Sequence, residues 1–268
     1  MITVVTAFFD IGRGNWVGVA NGHEMPAFLQ RTTDTYFERF TRLAKLQNPL
    51  VVHTTGDYRD RVLAIREECA PGVATTVVVH DDFFTSEVNA SLLAGIESAM
   101  APTSSFALNP AMPEYWNARY VLLNIHKAWF VTQSLMKGRV DSQASVAWID
   151  FGYCRDDHRF PPGFSWKHDF GDKINLFNIR SLDDRPLVDL IRTGDVYIQG
   201  CHIVAPGHRW DMLWELVQTV THDMLGDRLI DDDQTILLGA YRAKPSEFHV
   251  NFVDDRKDGW FVVFKEWP

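Results

Sequence analysis

The apolar run Val146 to Ile149 ends on a carboxylate, Asp150, and continues through Phe151, Gly152 and Tyr153 as VAWIDFGY. A buried strand that terminates on an acid sets that acid at the carboxyl edge of a sheet, where open α/β folds bind their ligands. A carboxylate there can hold a divalent cation against a nucleotide diphosphate, or it can simply cap a tight turn. A second acidic group, Asp231, Asp232 and Asp233 followed by Gln234, precedes the apolar run TILLGAY. It reads either as chemistry or as a helix N-terminus, where negative charge meets the positive end of the helix dipole. Asp156 and Asp157 follow shortly after Asp150, so a cation cluster of these three acids, as in a metal-dependent phosphohydrolase, is a further arrangement.

These acids need elements to position them. Ile2 to Phe9 predicts a buried strand, followed by a turn bearing Asp10, Gly12, Arg13 and Gly14 and by a helix over Thr33 to Leu46. Leu50 to Thr54 predicts a second strand, Asp57 to Cys69 a helix and Thr75 to His80 a third strand. That alternation implies a parallel sheet with right-handed crossovers. A polar, proline-marked stretch, Ala101 to Pro113, leads into a long helix, Tyr115 to Lys137, which delivers the chain to Asp150. Phe160 to Gly171 predicts an ordered loop over the site. A strand near Lys173 to Phe177 follows, then an apolar segment, Asp195 to Ala205, and a helix, Trp210 to Leu225, ended by Gly226. Strands at Phe248 to Val253 and Trp260 to Phe264 flank a charged turn, Asp254 to Gly259. No linker divides the chain, so residues 1 to 268 read as one α/β domain with a mixed, mainly parallel central sheet flanked by helices.

Composition narrows the function. The formal charge of −9 and the absence of any run of basic residues argue against a nucleic-acid partner. Cys69, Cys154 and Cys201 are widely spaced and odd in number, which fits a reducing compartment better than a disulfide framework or a zinc site. The N-terminus reads as a first strand, not a secretory leader, and no apolar run reaches membrane-spanning length. Tryptophans near the C-terminus, in GWFVVFKEWP, suit core packing, an aromatic substrate wall or a membrane interface. A cytoplasmic protein, with peripheral contact at the inner membrane, is the expectation.

Three segments together, VTAFFDIGRGNW at the start, WIDFGY in the middle and DDDQTIL near the end, resemble the bacterial HtrL/YibB family over nearly the whole chain. That family looks like glycosyltransferases of the GT-A fold, a Rossmann-like α/β architecture associated with surface polysaccharide assembly. The resemblance implies transfer of a hexose, galactose favoured, from a nucleotide sugar, UDP-linked, to a lipopolysaccharide such as O-antigen or to another glycan or glycolipid acceptor. A catalytically inactive protein that binds sugar nucleotides or glycans is the alternative of a different class, alongside the phosphohydrolase.

The resemblance also implies roles for residues. Thr6, Ala7 and Phe8 would line the base and ribose, and Arg13 would reach the phosphates unless it is a solvated turn residue. Asp150 would hold a divalent cation, Mn2+ or Mg2+, against the diphosphate. The usual second acid of such a motif is replaced by Gly152, leaving Asp156 or the late His249 to complete the metal site, or basic residues to replace the cation. Asp232, Asp233 and Gln234 resemble residues that face the reacting sugar, with Asp233 and Gln234 the catalytic candidates and Asp232 on the substrate. Gly200 and His202 would approach the donor sugar, and Lys127 would point to the diphosphate or that sugar. Trp166, His168 and Asp169 would stack on and hydrogen-bond the acceptor.

Overall fold

The computed structural model describes residues 1–253 and 259–264. Its frame is a seven-stranded sheet. In chain order the strands are β1 (Thr3–Phe8), a two-residue hairpin of β2 (Val19–Ala20) and β3 (His23–Glu24), then β4 (Leu50–Thr54), β5 (Thr75–Val79), β6 (Ser145–Ile149), β7 (Ile174–Asn178), β8 (His202–Pro206) and β9 (Phe248–Phe252). The main sheet runs β5-β4-β1-β6-β8-β7-β9, with β8 antiparallel to β6 and β7 and every other neighbouring pair parallel. The mixed, mainly parallel sheet flanked by helices is therefore as expected.

Strand composition explains the burial. β4 (LVVHT) and β7 (INLFN) are buried at every position, as interior strands covered on both faces must be. One face carries Val5, Val51, Trp148 and Ile203 against the helices α3 (Glu87–Ser104), α4 (Ala118–Ile125), α5 (Lys127–Met136), α7 (Trp210–Gly226) and α8 (Asp233–Ala243). The other carries Val4, Phe8, Ile149 and Val204 against α1 (Thr33–Leu43), α2 (Gly56–Cys69) and the aromatic segments around Phe151, Trp166 and Phe264. A short helix, α6 (Leu187–Thr193), precedes β8.

Chain direction sets the place for a ligand. From β1 the chain moves outward to β4 and β5, then returns to the opposite side of β1 as β6. Neighbouring parallel strands whose connections leave in opposite directions open a crevice beyond their carboxyl ends. Asp10 and Arg13 follow β1 there, and Asp150 and Arg155 follow β6.

Three expectations change. The long helix is two, α4 and α5, broken at His126, whose ring Nδ1 lies 2.9 Å from the Leu122 carbonyl. The break starts α5 at Lys127 and aims that side chain inward. Helix α3 runs from Glu87 into the start of the Ala101 to Pro113 stretch, ending at Ser104 with Pro102 within its last turn. Residues 259–264 form no strand; Gly259–Phe261 is a 3-10 turn. The alternation of apolar side chains there instead serves packing, with the Phe261 and Phe264 rings against Tyr153. Most of the charged turn, residues 254–258, lies outside the described residues.

Candidate active site

The crevice between β1 and β6 is a cleft of about 180 Å³ lined by Ala7, Phe8, Asp10, Arg13, Arg31, Tyr36, Tyr120, Lys127, Asp150 and Arg155, among others. Pockets that enclose a drug-sized ligand span roughly 300–1,000 Å³, so this one grips part of a ligand. At its floor Lys127 is buried and its ammonium reaches Asp150 Oδ1 at 3.0 Å, Asp233 Oδ2 at 2.8 Å and the Gly200 carbonyl at 2.9 Å. An ammonium has three donors, and all three are used. Burial works against the Lys127 charge, but Asp150 and Asp233 overcome it and hold its pKa well above the ordinary lysine range.

The two acids differ in access. Asp150 keeps 36% of its side chain exposed, toward the cleft, whereas Asp233 keeps 7% and sits behind the lysine. Trp148 fixes Asp150 through an indole N–H donated to Oδ1 at 2.8 Å. Burial raises the Asp233 carboxyl above its usual range while Lys127 pulls it back. Gly200 is a glycine for a steric reason: a Cβ there would collide with the Asp233 carboxylate.

Four arginines lie in or next to the cleft. Arg13 is buried, its guanidinium donating to the Leu29 carbonyl at 3.2 and 3.1 Å and to the Tyr36 hydroxyl at 2.8 Å, and lying 4.8 Å from the Trp16 ring centroid. Arg31 and Arg155 line the same cleft. Arg39 stands beside Gly152, and its Nη1 is buried without a hydrogen-bond partner. Burial, then Arg31 and Arg39, push Arg155 down to about 10, and burial followed by Arg31 lowers Arg39. Like charges are thus held together, and among the described residues none of the four forms an ion pair.

The acidic triplet forms the start of α8. Asp232 is the N-cap, accepting the Gln234 backbone N–H at 3.1 Å, and Asp231 accepts the Thr235 hydroxyl at 2.6 Å. Burial pushes Asp231 up to about 6 and, with neighbouring acids, raises Asp232 well above the carboxylate range. Glu114, packed nearby, is pushed up to about 8 by burial and then by Asp231. Asp232, Asp233 and Gln234 do not line the cleft, so the acid presented to a ligand is Asp150, with Asp233 orienting Lys127.

Other expectations are corrected by position. His249 pairs with Asn175 in the row of Val204 and Ala147. It is three strands from β6 and three residues short of Asp150, roughly 14 Å across the sheet and about 10 Å along it. It therefore does not share a metal site with Asp150. Trp166, 2% exposed, is clamped by Asn48 at the amino edge of the sheet, through bonds of 2.7 and 2.9 Å. His168 rests on Phe170, and Asp169 accepts the Gly171 N–H. The loop over Phe160 to Gly171 thus covers the core rather than the site. His202 points to the α1 face between Phe177 and Tyr153, and burial pushes it down to about 3. Thr6 is fully buried in mid-strand, outside the cleft. Asp156 is paired with Arg159, and Asp157 with Lys45 and Arg42, so neither joins Asp150 in a cation cluster.

A divalent cation fits this donor set poorly. Hard cations prefer six or more oxygens. Here Asp150 and Asp233 already share an ammonium, and among the described residues no three His, Cys, Asp or Glu side chains form a metal-holding group. Position 152 is tight for a second acid, because a Cβ there would meet the Tyr36 ring at 3.1 Å and the ring would have to shift.

Comparison with known proteins decides kinship. A family model described as "Bacterial protein of unknown function (HtrL_YibB)" matches residues 1–267. The chain belongs to the HtrL_YibB family. It is 34% identical to Protein HtrL of Escherichia coli (strain K12) over 271 residues, covering 98% of this chain and 91% of that one. The apo crystal structure of mouse xyloside xylosyltransferase 1 is similar over 93% of this chain and 84% of that chain, at 13% identity and a TM-score of 0.40. That likeness is too distant to assign residues. Within this HtrL_YibB member, sequence reasoning missed Arg31, Arg39 and Tyr36 as site residues. Arg31 and Arg39 are unmarked in the sequence, whereas Arg155, five residues past Asp150, was within reach of the carboxyl-edge rule.

Proposed function

We propose that the protein is a glycosyltransferase moving a hexose, with galactose favoured, from a UDP-linked donor to a lipopolysaccharide or another surface glycan. One feature supports the reading above others: three arginines that line a single cleft, Arg13, Arg31 and Arg155, and Arg39 beside Gly152, none of them in an ion pair among the described residues, surround one accessible, oriented acid, Asp150. Transfer needs cationic donors where charge develops on the leaving diphosphate and a carboxylate within reach of the acceptor hydroxyl. In this scheme the acceptor oxygen bonds to the anomeric carbon as that carbon's bond to the diphosphate oxygen breaks. The bonding pair leaves with the nucleoside diphosphate, and the hydroxyl proton passes to Asp150. Asp10, held by the Gly12 N–H at 2.8 Å and the Thr33 hydroxyl at 2.6 Å, would read hydroxyls on the nucleotide side. The sugar, the UDP and the surface-glycan acceptor follow from the family resemblance. A cytoplasmic setting with peripheral contact at the inner membrane suits such an acceptor. Among the described residues no helix is long and apolar enough to cross a membrane.

The test is UDP release from a panel of UDP-hexoses, with and without lipopolysaccharide acceptor. UDP-galactose should be consumed slowly alone and faster with acceptor, and Asp150→Ala should lower turnover by about 10²–10⁴-fold. Absence of acceptor-stimulated release from every UDP-hexose would sink the reading.

A further inference from the structure

We infer that the protein supplies the positive charge for the diphosphate from its own side chains, Arg13, Arg31, Arg39 and Arg155, with Lys127 standing where a divalent cation would bridge Asp150 and Asp233, so that nucleotide binding needs no metal. This rests on the nucleotide-sugar reading above.

Three independent features converge on it. First, Lys127 occupies the bridging position and is saturated by Asp150, Asp233 and Gly200. A metal ion would have to expel a buried ammonium and leave it unpaired, which is strongly unfavourable. Second, the Tyr36 ring crowds the space beside Gly152, 3.1 Å from where a Cβ would stand, so a second acid there would have to push it aside. Tyr36 in turn accepts a hydrogen bond from Arg13 at 2.8 Å, so the ring that crowds this position also holds one of the cations. Third, the arginines are kept close at electrostatic cost, and the buried Arg39 Nη1 has no acceptor. A buried donor without a protein partner is open to a water, an ion or a ligand, and beside a cleft lined by other arginines a phosphate suits it, because guanidinium forks match phosphate oxygens. Counted around the cleft, the cations Arg13, Arg31, Arg39, Arg155 and Lys127 outnumber the acids Asp10, Asp150 and Asp233, which leaves room for an anion. Lys127 is therefore a positioning residue, turning two acids into one net negative group, and the arginines are the diphosphate ligands.

The experiment is calorimetric titration of the full chain with UDP, first in EDTA and then with Mn2+. The expected dissociation constants agree within about threefold. Arg39→Gln and Arg155→Gln should each weaken UDP by about tenfold, with no gain in response to Mn2+. UDP binding that requires Mn2+ overturns the inference and leaves glycosyl transfer standing. Metal-free UDP binding without turnover of any UDP-hexose keeps the inference and removes the transferase. If UDP fails under both conditions, inorganic pyrophosphate in EDTA decides: binding upholds the arginine site, and no binding overturns it. As a second variant, Lys127→Ala opens the space between Asp150 and Asp233. Thermal stabilisation by Mn2+ in that variant but not in the wild type supports the ammonium's role, whereas Mn2+ stabilisation of the wild type contradicts it.

Discussion

Arg66 and Arg39 lie on neighbouring helices and each has a buried guanidinium N–H, yet they are treated in opposite ways. Arg66 is 2% exposed and spends its guanidinium on structure, donating to the carbonyls of Ala44, Leu46 and Asn48 and to the Thr75 hydroxyl. It ties the end of α1 to β4 and β5. Several surface arginines are likewise committed: Arg180 and Arg185 share Asp195, and Arg209 bridges Asp172 and Glu247. Around the cleft the pattern reverses, for Arg39 keeps a buried N–H unpaired, and among the described residues Arg13, Arg31 and Arg155 form no ion pair with a carboxylate. The difference teaches that burial alone does not mark a functional arginine. What marks it is donor capacity that the fold leaves unspent.

The largest test of that contrast removes a committed cation. Lys127→Met leaves the buried Asp233 carboxylate facing the half-exposed Asp150 without a cation between them, and Arg66→Met strands several carbonyls; each should cost about 3 kcal/mol in urea denaturation. Only Lys127→Met should also impair transfer, so equal loss of activity in both would erase the distinction. Gly200→Ala comes next. Its methyl displaces the Asp233 carboxylate from Lys127, for about 2 kcal/mol of overpacking, and a variant as stable as the wild type would show that Asp233 is free to move.

The third test asks whether buried acids act as hidden counter-ions for the cleft arginines. Glu114, raised to about 8 by burial and then by Asp231, is protonated at neutral pH and does not neutralise Arg13. Its folded pKa lies above its unfolded value, so its contribution to stability is complete below about 4.5 and is lost as pH rises through about 8. His53, His126 and His202 run the other way, pushed down by burial to about 3, 4 and 3. Their contribution is present above about 6.5 and is lost as pH falls toward those values. Urea midpoints should therefore decline on both sides of neutrality, and Glu114→Gln should flatten only the alkaline decline while leaving UDP affinity at pH 7 unchanged. Weaker or tighter UDP binding in that variant would make Glu114 a counter-ion.

The smallest effect on stability belongs to the cleft itself. Arg39→Gln should shift the denaturation free energy by no more than about 0.5 kcal/mol, because no ion pair is lost. A large destabilisation would move Arg39 into the same class as Arg66.

Much of the frame was legible because it is local. β4 lies where the short apolar run Leu50 to Thr54 put it, α2 begins within a residue of its expected start, and α1 is capped by Thr32 accepting the Thr35 N–H at 3.1 Å. Segments whose pattern serves another partner were misread. Val263 gives its backbone N–H to the Tyr153 hydroxyl at 3.0 Å, and an unbroken 115–137 helix ignored the polar contact at His126. Within the site, Asp150 was legible because an acid closing an apolar strand is a one-dimensional signal. His249, His202 and Trp166 were misplaced because order along the chain does not say which edge or face of a sheet a side chain occupies.

By itself, then, the sequence determined most of the sheet strands and several of the helices, the acid at the end of β6 and the family. Tertiary structure alone decided which charges meet. No run of basic residues exists in the chain, yet residues 13, 31, 39 and 155 come together because β1, α1 and β6 all direct their ends to one crevice. Electrostatic and metal-binding character depend on distances of a few ångströms between residues far apart in the chain, and those distances exist only once the sheet has ordered its strands.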